Sequence, residues 1–233
     1  MSIKKNKILV IVPSRSQGNG REKNIDRFID AWKEHSEGMS DIAIALDPDD
    51  EHYYTRRKEA IYFVNSTRER MIPTLNKCAN AFAEEYEMIA FFGDDHLIKT
   101  KWESEMYKAN QVCGSFGVFY GNDLYQGARL ATAVCLDAEI VRILGYIAPP
   151  MLTHLFADNF WMDLGRTLDT LQYFPEIVFE HIHPHIGKSE EDSMYIESNS
   201  FFDADQKKYE HYISTGEFQR AVESIQQIKN KNI

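Results

Sequence analysis

The sequence has no long hydrophobic run. Its apolar stretches, such as KILVIVP at Lys7–Pro13, fall far short of the roughly 18 residues that signal a membrane-spanning helix. An integral helical membrane protein is therefore excluded. The start, Met1–Lys7, is basic, but the apolar segment behind it is short and ends at Pro13, so no signal peptide is expected. Cysteine is scarce. Cys78, Cys113 and Cys135 are odd in number and far apart, which excludes a disulfide framework and offers no zinc spacing. They read as reduced core residues of a cytoplasmic protein, made where nucleotide-activated metabolites are at hand. Neither a Walker A sequence nor a G-x-G-x-x-G fingerprint is present, which argues against P-loop and dinucleotide-binding enzymes. Basic residues are in deficit: 26 Lys and Arg face 36 Asp and Glu, a net charge of −10. A protein that grips long nucleic acid presents a basic face. Any such face here must be local, and the plain reading of the excess acid is solubility.

What remains is an ordinary globular composition, 43% hydrophobic and 27% charged over 233 residues, long enough to bury most of its apolar surface. Short β-branched or apolar runs read as buried strands at Lys7–Pro13, Asp41–Leu46, Ala60–Val64 and Glu87–Phe92. Between them lie helical patterns, one with Ile25, Phe28, Ile29 and Trp32 on one side and one over Met71–Glu85. This alternation predicts βαβ units and a largely parallel sheet. Further on, strands are expected at Gly117–Tyr120, Leu130–Val134 and Ile177–His183, and helices at Trp102–Gln111, Ala138–Leu144 and Ala157–Thr167. Lys188–Ser200 is polar without periodicity and reads as a mobile loop, followed by helices near Asp203–Tyr212 and Glu217–Lys229. With no repeat, low-complexity tract or linker, residues 1–233 form one expected domain, 188–233 being the mobile loop and C-terminal helices.

Four constellations carry chemistry. Gly93-Asp94-Asp95 closes an apolar strand with two adjacent carboxylates, whose repulsion a hard divalent cation such as Mg²⁺ or Mn²⁺ would relieve. Its plainer reading is a solvated loop before the helix near Thr100. His181-Ile182-His183-Pro184-His185 places alternate imidazoles on one strand face, where one or more could complete that metal site. A zinc site of the histidines alone lacks any partnering cysteine. Asp158, at the start of an apolar helix, is either a cap or a carboxylate raised by its surroundings into a general base. Pro13-Ser14-Arg15 follows the first strand, and Asp47 and Asp49 follow the second, at the sheet edge where ligands bind in open α/β folds. Tyr53, Tyr54 and Tyr62 could stack on a base, although packing is the commoner role.

Taken in order, ILVIVPSRSQGN (8–19), ALDPDD (45–50), FFGDDH (91–96), HLFADNFWMDLG (154–165) and HIHPHIGK (181–188) resemble the GT-A glycosyltransferases, above all family-2-like inverting members and small bacterial and phage versions. The likeness runs over about residues 7–195. It implies a Rossmann-like α/β fold with a mixed, mostly parallel sheet flanked by helices. It further implies a nucleotide-sugar donor, Mn²⁺ or Mg²⁺, and a cytoplasmic setting in a bacterium or phage-infected host. On this resemblance Pro13, Ser14 and Arg15 touch the nucleotide, Asp47 reads the base, and Asp94 supports Asp95 as metal ligand in a DxD-type motif. Gly93 stands at that motif's first position. His183 is the late metal ligand, with His181 and His185 as rivals, and Asp158 is the base of a single displacement. The Lys188–Ser200 segment is a candidate lid. A hydroxymethylated DNA base is one acceptor the resemblance suggests, in which case Lys99, Lys101 and Arg129 would meet phosphate. The competing readings are a sugar-phosphate nucleotidyltransferase, which SRSQGNGREK fits only loosely, and a non-catalytic nucleotide-sugar-binding protein, against which Asp94, Asp95 and Asp158 together argue.

Overall fold

The computed structural model describes residues 6–114 and 116–231; the basic opening stretch 1–5 lies outside them. Strand β1 (Ile8–Pro13) is buried along its whole length. Its side chains alternate between two cores: Leu9 and Ile11 enter one, while Ile8, Val10 and Val12 enter the other. A strand covered on both faces has no solvent side, which explains its unbroken apolar run. Parallel to it lie β2 (Ser40–Leu46) and β4 (Met88–Phe91), and β3 (Ala60–Val64) lies parallel to β2.

The sheet continues beyond β4 with a change of direction. β7 (Val134–Asp137) pairs antiparallel with β4, and β6 (Val118–Asn122) antiparallel with β7. β8 (Leu171–His181) runs parallel to β6, and the short β5 (His96–Ile98) closes the edge antiparallel to β8. The order is β3-β2-β1-β4-β7-β6-β8-β5, with four of seven pairings parallel. Helices α1 (Glu22–His35) and α3 (Glu103–Cys113) cover one face through Phe28, Ile29 and Met106. On the other face α2 (Met71–Phe82), α4 (Ala138–Leu144) and α5 (Ala157–Thr167) are joined by α7 (Phe202–Ser214) and α8 (Glu217–Lys231). This is the expected mixed, mostly parallel α/β architecture. Cys78 and Cys135 are buried in it, as expected. No helix among the described residues is long and apolar enough to cross a membrane.

The differences from expectation have local causes. Strand β5 has three residues, too few to show a period. The strand expected at Leu130–Val134 instead occupies Val134–Asp137. β8 begins at Leu171, six residues before the expected Ile177, because Pro175 sits where its pairing jumps from Phe174↔Gly121 to Val178↔Asn122. Proline donates no ladder hydrogen bond and is tolerated at such a bulge. The Lys188–Ser200 segment, expected as a loop, carries α6 (Ser193–Asn199), whose first N–H groups are accepted by the Asp192 carboxylate.

Gly121 shows how closely β6 and β8 approach: a Cβ there would lie 2.6 Å from the Ile177 carbonyl oxygen and 2.8 Å from the Phe179 ring. Gly121→Ala is expected to cost on the order of 2 kcal/mol through overpacking. The change should appear as a lower urea midpoint at an unchanged m-value. A midpoint equal to wild type would mean that the contact yields freely.

Candidate functional site

The parallel strands β1, β2 and β4 end on one edge of the sheet, so the segments after them converge. Ser14 and Arg15 follow β1, Asp47 follows β2, and Gly93-Asp94-Asp95 follows β4. They line a cleft of about 480 Å³, within the range of small-molecule sites. Asp94 is buried and accepts from Ser14 Oγ and from Arg21, each at 2.6 Å. Arg21, only 13% exposed, also pairs with Asp192 at 3.1 Å. Sequence reasoning passed over Arg21 because it sits within a turn-rich loop with no pattern to single it out.

Asp95 faces the other way. The antiparallel pairing of β5 with β8 sets His96 directly opposite His181. Their rings stack 4.2 Å apart, and His96 Nδ1 and His181 Nε2 each lie 3.3 Å from the Asp95 carboxylate. Ligand atoms of Asp95, His96 and His181 fall within 4.8 Å of one another, a grouping that could hold a metal ion. Burial raises Asp95, but the facing His181 and His96 outweigh it and hold the carboxyl well below its ordinary value. Burial likewise pushes Asp94 up, against the pull of Arg21.

His183, expected as the late ligand, lies outside this group. Its ring centroid is 4.8 Å from that of His181, it stacks on Tyr125 at 5.2 Å, and its Nδ1 accepts from the His185 N–H at 3.2 Å. The placement has a simple cause: β8 ends at His181, so His183 no longer shares the strand alternation that the sequence suggested. His96 was legible only as the residue after Asp95, and its pairing with His181 depends on β5.

On the nucleotide-expected side, Arg15 makes a bidentate pair with Asp49, at 3.1 and 2.7 Å, and its buried Nε has no hydrogen-bond partner among the described residues. Ser14 is held between Asp94 and the Tyr54 hydroxyl. The Asp47 carboxylate accepts from Asn65, Thr74 and the N–H groups of Glu69 and Arg70, which fixes the turn into α2. Tyr53, Tyr54 and Tyr62 do not line the cleft. Lys99 pairs with Glu180 at 3.4 Å, and Arg129 donates to the carbonyls of Tyr125 and Gln126. Lys101 is exposed.

Asp158 enters the same cleft from the first turn of α5, half-buried, its Oδ1 accepting from the Asn159 N–H at 2.9 Å. The loop before it is pinned from α7. Fully buried Asp205 accepts the N–H groups of Thr153, His154 and Leu155, and Phe156, at φ 69°, packs on Phe202 and Tyr209. Burial pushes the Asp158 carboxyl above its ordinary value. Beside it, burial and the nearby Arg21 lower His154 to about 4.

Segment 188–200 roofs the cleft. Arg21 meets Asp192, Asn19 meets Ser193, Gln17 and Arg68 meet Glu197, and Arg70 pairs with Glu197. Tyr195 donates to Asp95, its ring 5.0 Å beneath the Arg21 guanidinium. Only Ser198 of α6 is buried, so polar contacts dominate this roof.

An Asp158 raised by burial destabilises the fold once it is ionised. The penalty is absent where the carboxyl is protonated in both folded and unfolded chains, and it grows with pH until the raised folded pKa is passed. Asp158→Asn is therefore expected to melt above wild type near neutral pH, with the gap closing towards about pH 4. Thermal melts across pH check this, and a lower melting point for the variant at neutral pH would refute it.

No family model and no curated protein matches the chain. Solved structures do. A mannosyltransferase, PcManGT from Pyrobaculum calidifontis in complex with GDP-Man and Mn²⁺, matches with a TM-score of 0.55 at 13% identity, over 80% of this chain and 59% of that one. TarS from S. aureus matches with a TM-score of 0.53 at 12% identity, over 74% of this chain and 36% of that one. The chain thus spans between 36% and 59% of the length of these proteins. At such identities the likeness is one of fold, and that fold is the GT-A architecture of glycosyltransferases.

Proposed function

We propose that this protein is a metal-dependent, inverting glycosyltransferase, acting as one domain over residues 1–233, that moves a sugar from a nucleoside-diphosphate-sugar to an acceptor hydroxyl. The observation that carries the reading is the meeting, in one cleft, of the Asp95–His96–His181 group with the half-buried carboxylate of Asp158. The fold it shares with a mannosyltransferase solved with GDP-Man and Mn²⁺ supports the same reading.

The residues fit a divalent ion. His96 Nδ1 is buried without a hydrogen-bond partner among the described residues and lies beside the Asp95 carboxylate, as a waiting metal ligand would. Asp95, His96 and His181 would hold the ion, with His183 adjacent. Two imidazoles suit a first-row ion such as Mn²⁺ better than Mg²⁺, which prefers oxygen ligands and retained water. When bound, the ion supplies charge neutralisation for the nucleoside diphosphate leaving group.

The chain's own groups do the rest. Asp158 takes the proton from the acceptor hydroxyl, a task suited to a carboxylate with a raised pKa. Arg21 and the free Nε of Arg15 meet the diphosphate, while Pro13 and Ser14 border the nucleotide. Asp47, its carboxylate held at the cleft by four hydrogen bonds from the turn into α2, reads the base. Near Asp158 the wall is made by Leu155, Phe156, Trp161 and Phe202, which suits an acceptor with a flat face, a hydroxymethylated base among them. The α6 roof excludes water that would otherwise hydrolyse the donor.

Thermal melts with a panel of nucleoside diphosphates and nucleotide-sugars, with and without Mn²⁺, test the donor site. At a hundredfold excess over Kd the matching ligand should add about 2.7 kcal/mol, or roughly 5–10 °C. The gain should require Mn²⁺ and vanish in Asp95→Ala. Stabilisation that ignores both the metal and Asp95 would overturn the reading. Pyrophosphate release from a nucleoside triphosphate and a sugar phosphate would instead favour nucleotidyl transfer.

The roof makes a separate prediction. Its contacts are mostly ionic, so amide exchange across 193–199 should be faster than across α5, should rise with salt, and should slow when donor and Mn²⁺ bind. Exchange in α6 that matches α5 under all conditions would mark it as a fixed wall.

A further inference from the structure

We infer that Asp123 and Thr132 are positioning residues for the Asp95–His96–His181 group: they set the tautomer of His96, turning its Nδ1 lone pair towards Asp95, and hold His181 in place beside it. The inference rests on the proposed metal site but concerns residues outside it.

Asp123 follows β6 and is 2% exposed. Its two oxygens have separate tasks. Oδ1 accepts the N–H groups of Tyr125, Gln126 and Gly127 at 2.7–2.9 Å, closing the turn that carries Tyr125 into the cleft. Oδ2 accepts from the Thr132 hydroxyl at 2.8 Å and faces His181 Nδ1 at 3.9 Å. The backbone joins in, since the His181 N–H donates to the Asp123 carbonyl at 2.9 Å and holds the two residues side by side.

Proton counting then decides the His96 tautomer. A carboxylate only accepts, so the single Thr132 hydroxyl proton is committed to Asp123. Towards His96 Nε2, 3.3 Å away, Thr132 can only accept, and Nε2 must carry the proton. That leaves His96 Nδ1 as a bare lone pair, buried, without a hydrogen-bond partner among the described residues and 3.3 Å from the Asp95 carboxylate. His181 is held in another way: its Nε2 lies within hydrogen-bond reach of Asp95 at 3.3 Å, and its Nδ1 faces the Asp123 carboxylate at 3.9 Å. One acid thus stands behind both imidazoles, fixing the proton of His96 through a hydroxyl and the place of His181 through its own backbone carbonyl. Outer groups of this kind fix ring orientation and raise ligand basicity.

The test needs neither donor nor acceptor. Mn²⁺ affinity is measured by loss of the free-ion electron paramagnetic resonance signal on wild type, Asp123→Asn, Thr132→Val, Thr132→Ser and His181→Ala. Asp123→Asn keeps an oxygen for the 125–127 turn but replaces the proton acceptor with a donor. It should weaken Mn²⁺ binding by about 10–100-fold. Thr132→Val should weaken it by about tenfold, and Thr132→Ser, which restores the hydroxyl, should bind like wild type. In the metal-free protein, ¹⁵N spectra should place the His96 proton on Nε2 in wild type and Thr132→Ser and lose that preference in Thr132→Val. If His181→Ala abolishes binding while Asp123→Asn and Thr132→Val bind within twofold of wild type, the positioning role is refuted and the metal site stands. If wild type binds no Mn²⁺, or His181→Ala binds as tightly as wild type, the metal site itself falls and this inference falls with it.

Discussion

The cleft is organised by the need to accommodate two adjacent carboxylates, Asp94 and Asp95, at the buried end of β4. Like charges so close and so shielded from water repel strongly, and each must be met by a group from elsewhere in the chain. Asp94 is met by Arg21 at the start of α1 and by Ser14 after β1. Asp95 is met by His96, His181 and Tyr195, from β5, β8 and α6. One dipeptide therefore ties together segments from more than half the length of the chain.

These contacts are a poor way to gain stability. Buried ion pairs roughly offset their own desolvation, and the alternatives are apolar residues that would pack without penalty. What the arrangement provides is a polarised floor: a cation at one end, in Arg21, and a set of imidazole nitrogens and a carboxylate at the other. Asp158 across the cleft is different. Among the described residues no cation forms an ion pair with it, and its carboxylate accepts from the Asn159 N–H. A carboxylate left with so little support suits proton transfer better than structure. Asp205, more deeply buried, has the opposite surroundings, with three backbone N–H groups and Lys208 around it, and it holds the loop that precedes Asp158.

Legibility followed element length and chain proximity. β1, β2 and β4 could be read because strands buried on both faces need uninterrupted apolar residues, and the acids after them could be placed at the carboxyl edge because parallel strands share one. β5 could not, since three residues carry no period. The start of β8 was hidden by Pro175, which looks like a terminator and is instead a bulge. α6 was hidden because its residues are held by side chains from distant loops, Arg21, Arg68 and Arg70, and not by an apolar stripe of its own.

The same division runs through the site. The amino-acid sequence alone determined the α/β class, the edge on which the acids after the strands collect, and the identity of Asp94, Asp95 and Asp158 as acids at element ends, because these depend on periodicity and on neighbours in the chain. Only the tertiary structure decided that His96 joins Asp95 and His181 while His183 stands aside, that Arg21 neutralises Asp94, and that Asp123 stands behind both imidazoles. Those choices rest on the antiparallel register of β5 against β8 and on the meeting of loops more than 80 residues apart in the case of His96 and His181. Pairings across such separations are set by how the sheet closes, which no local pattern of residues records.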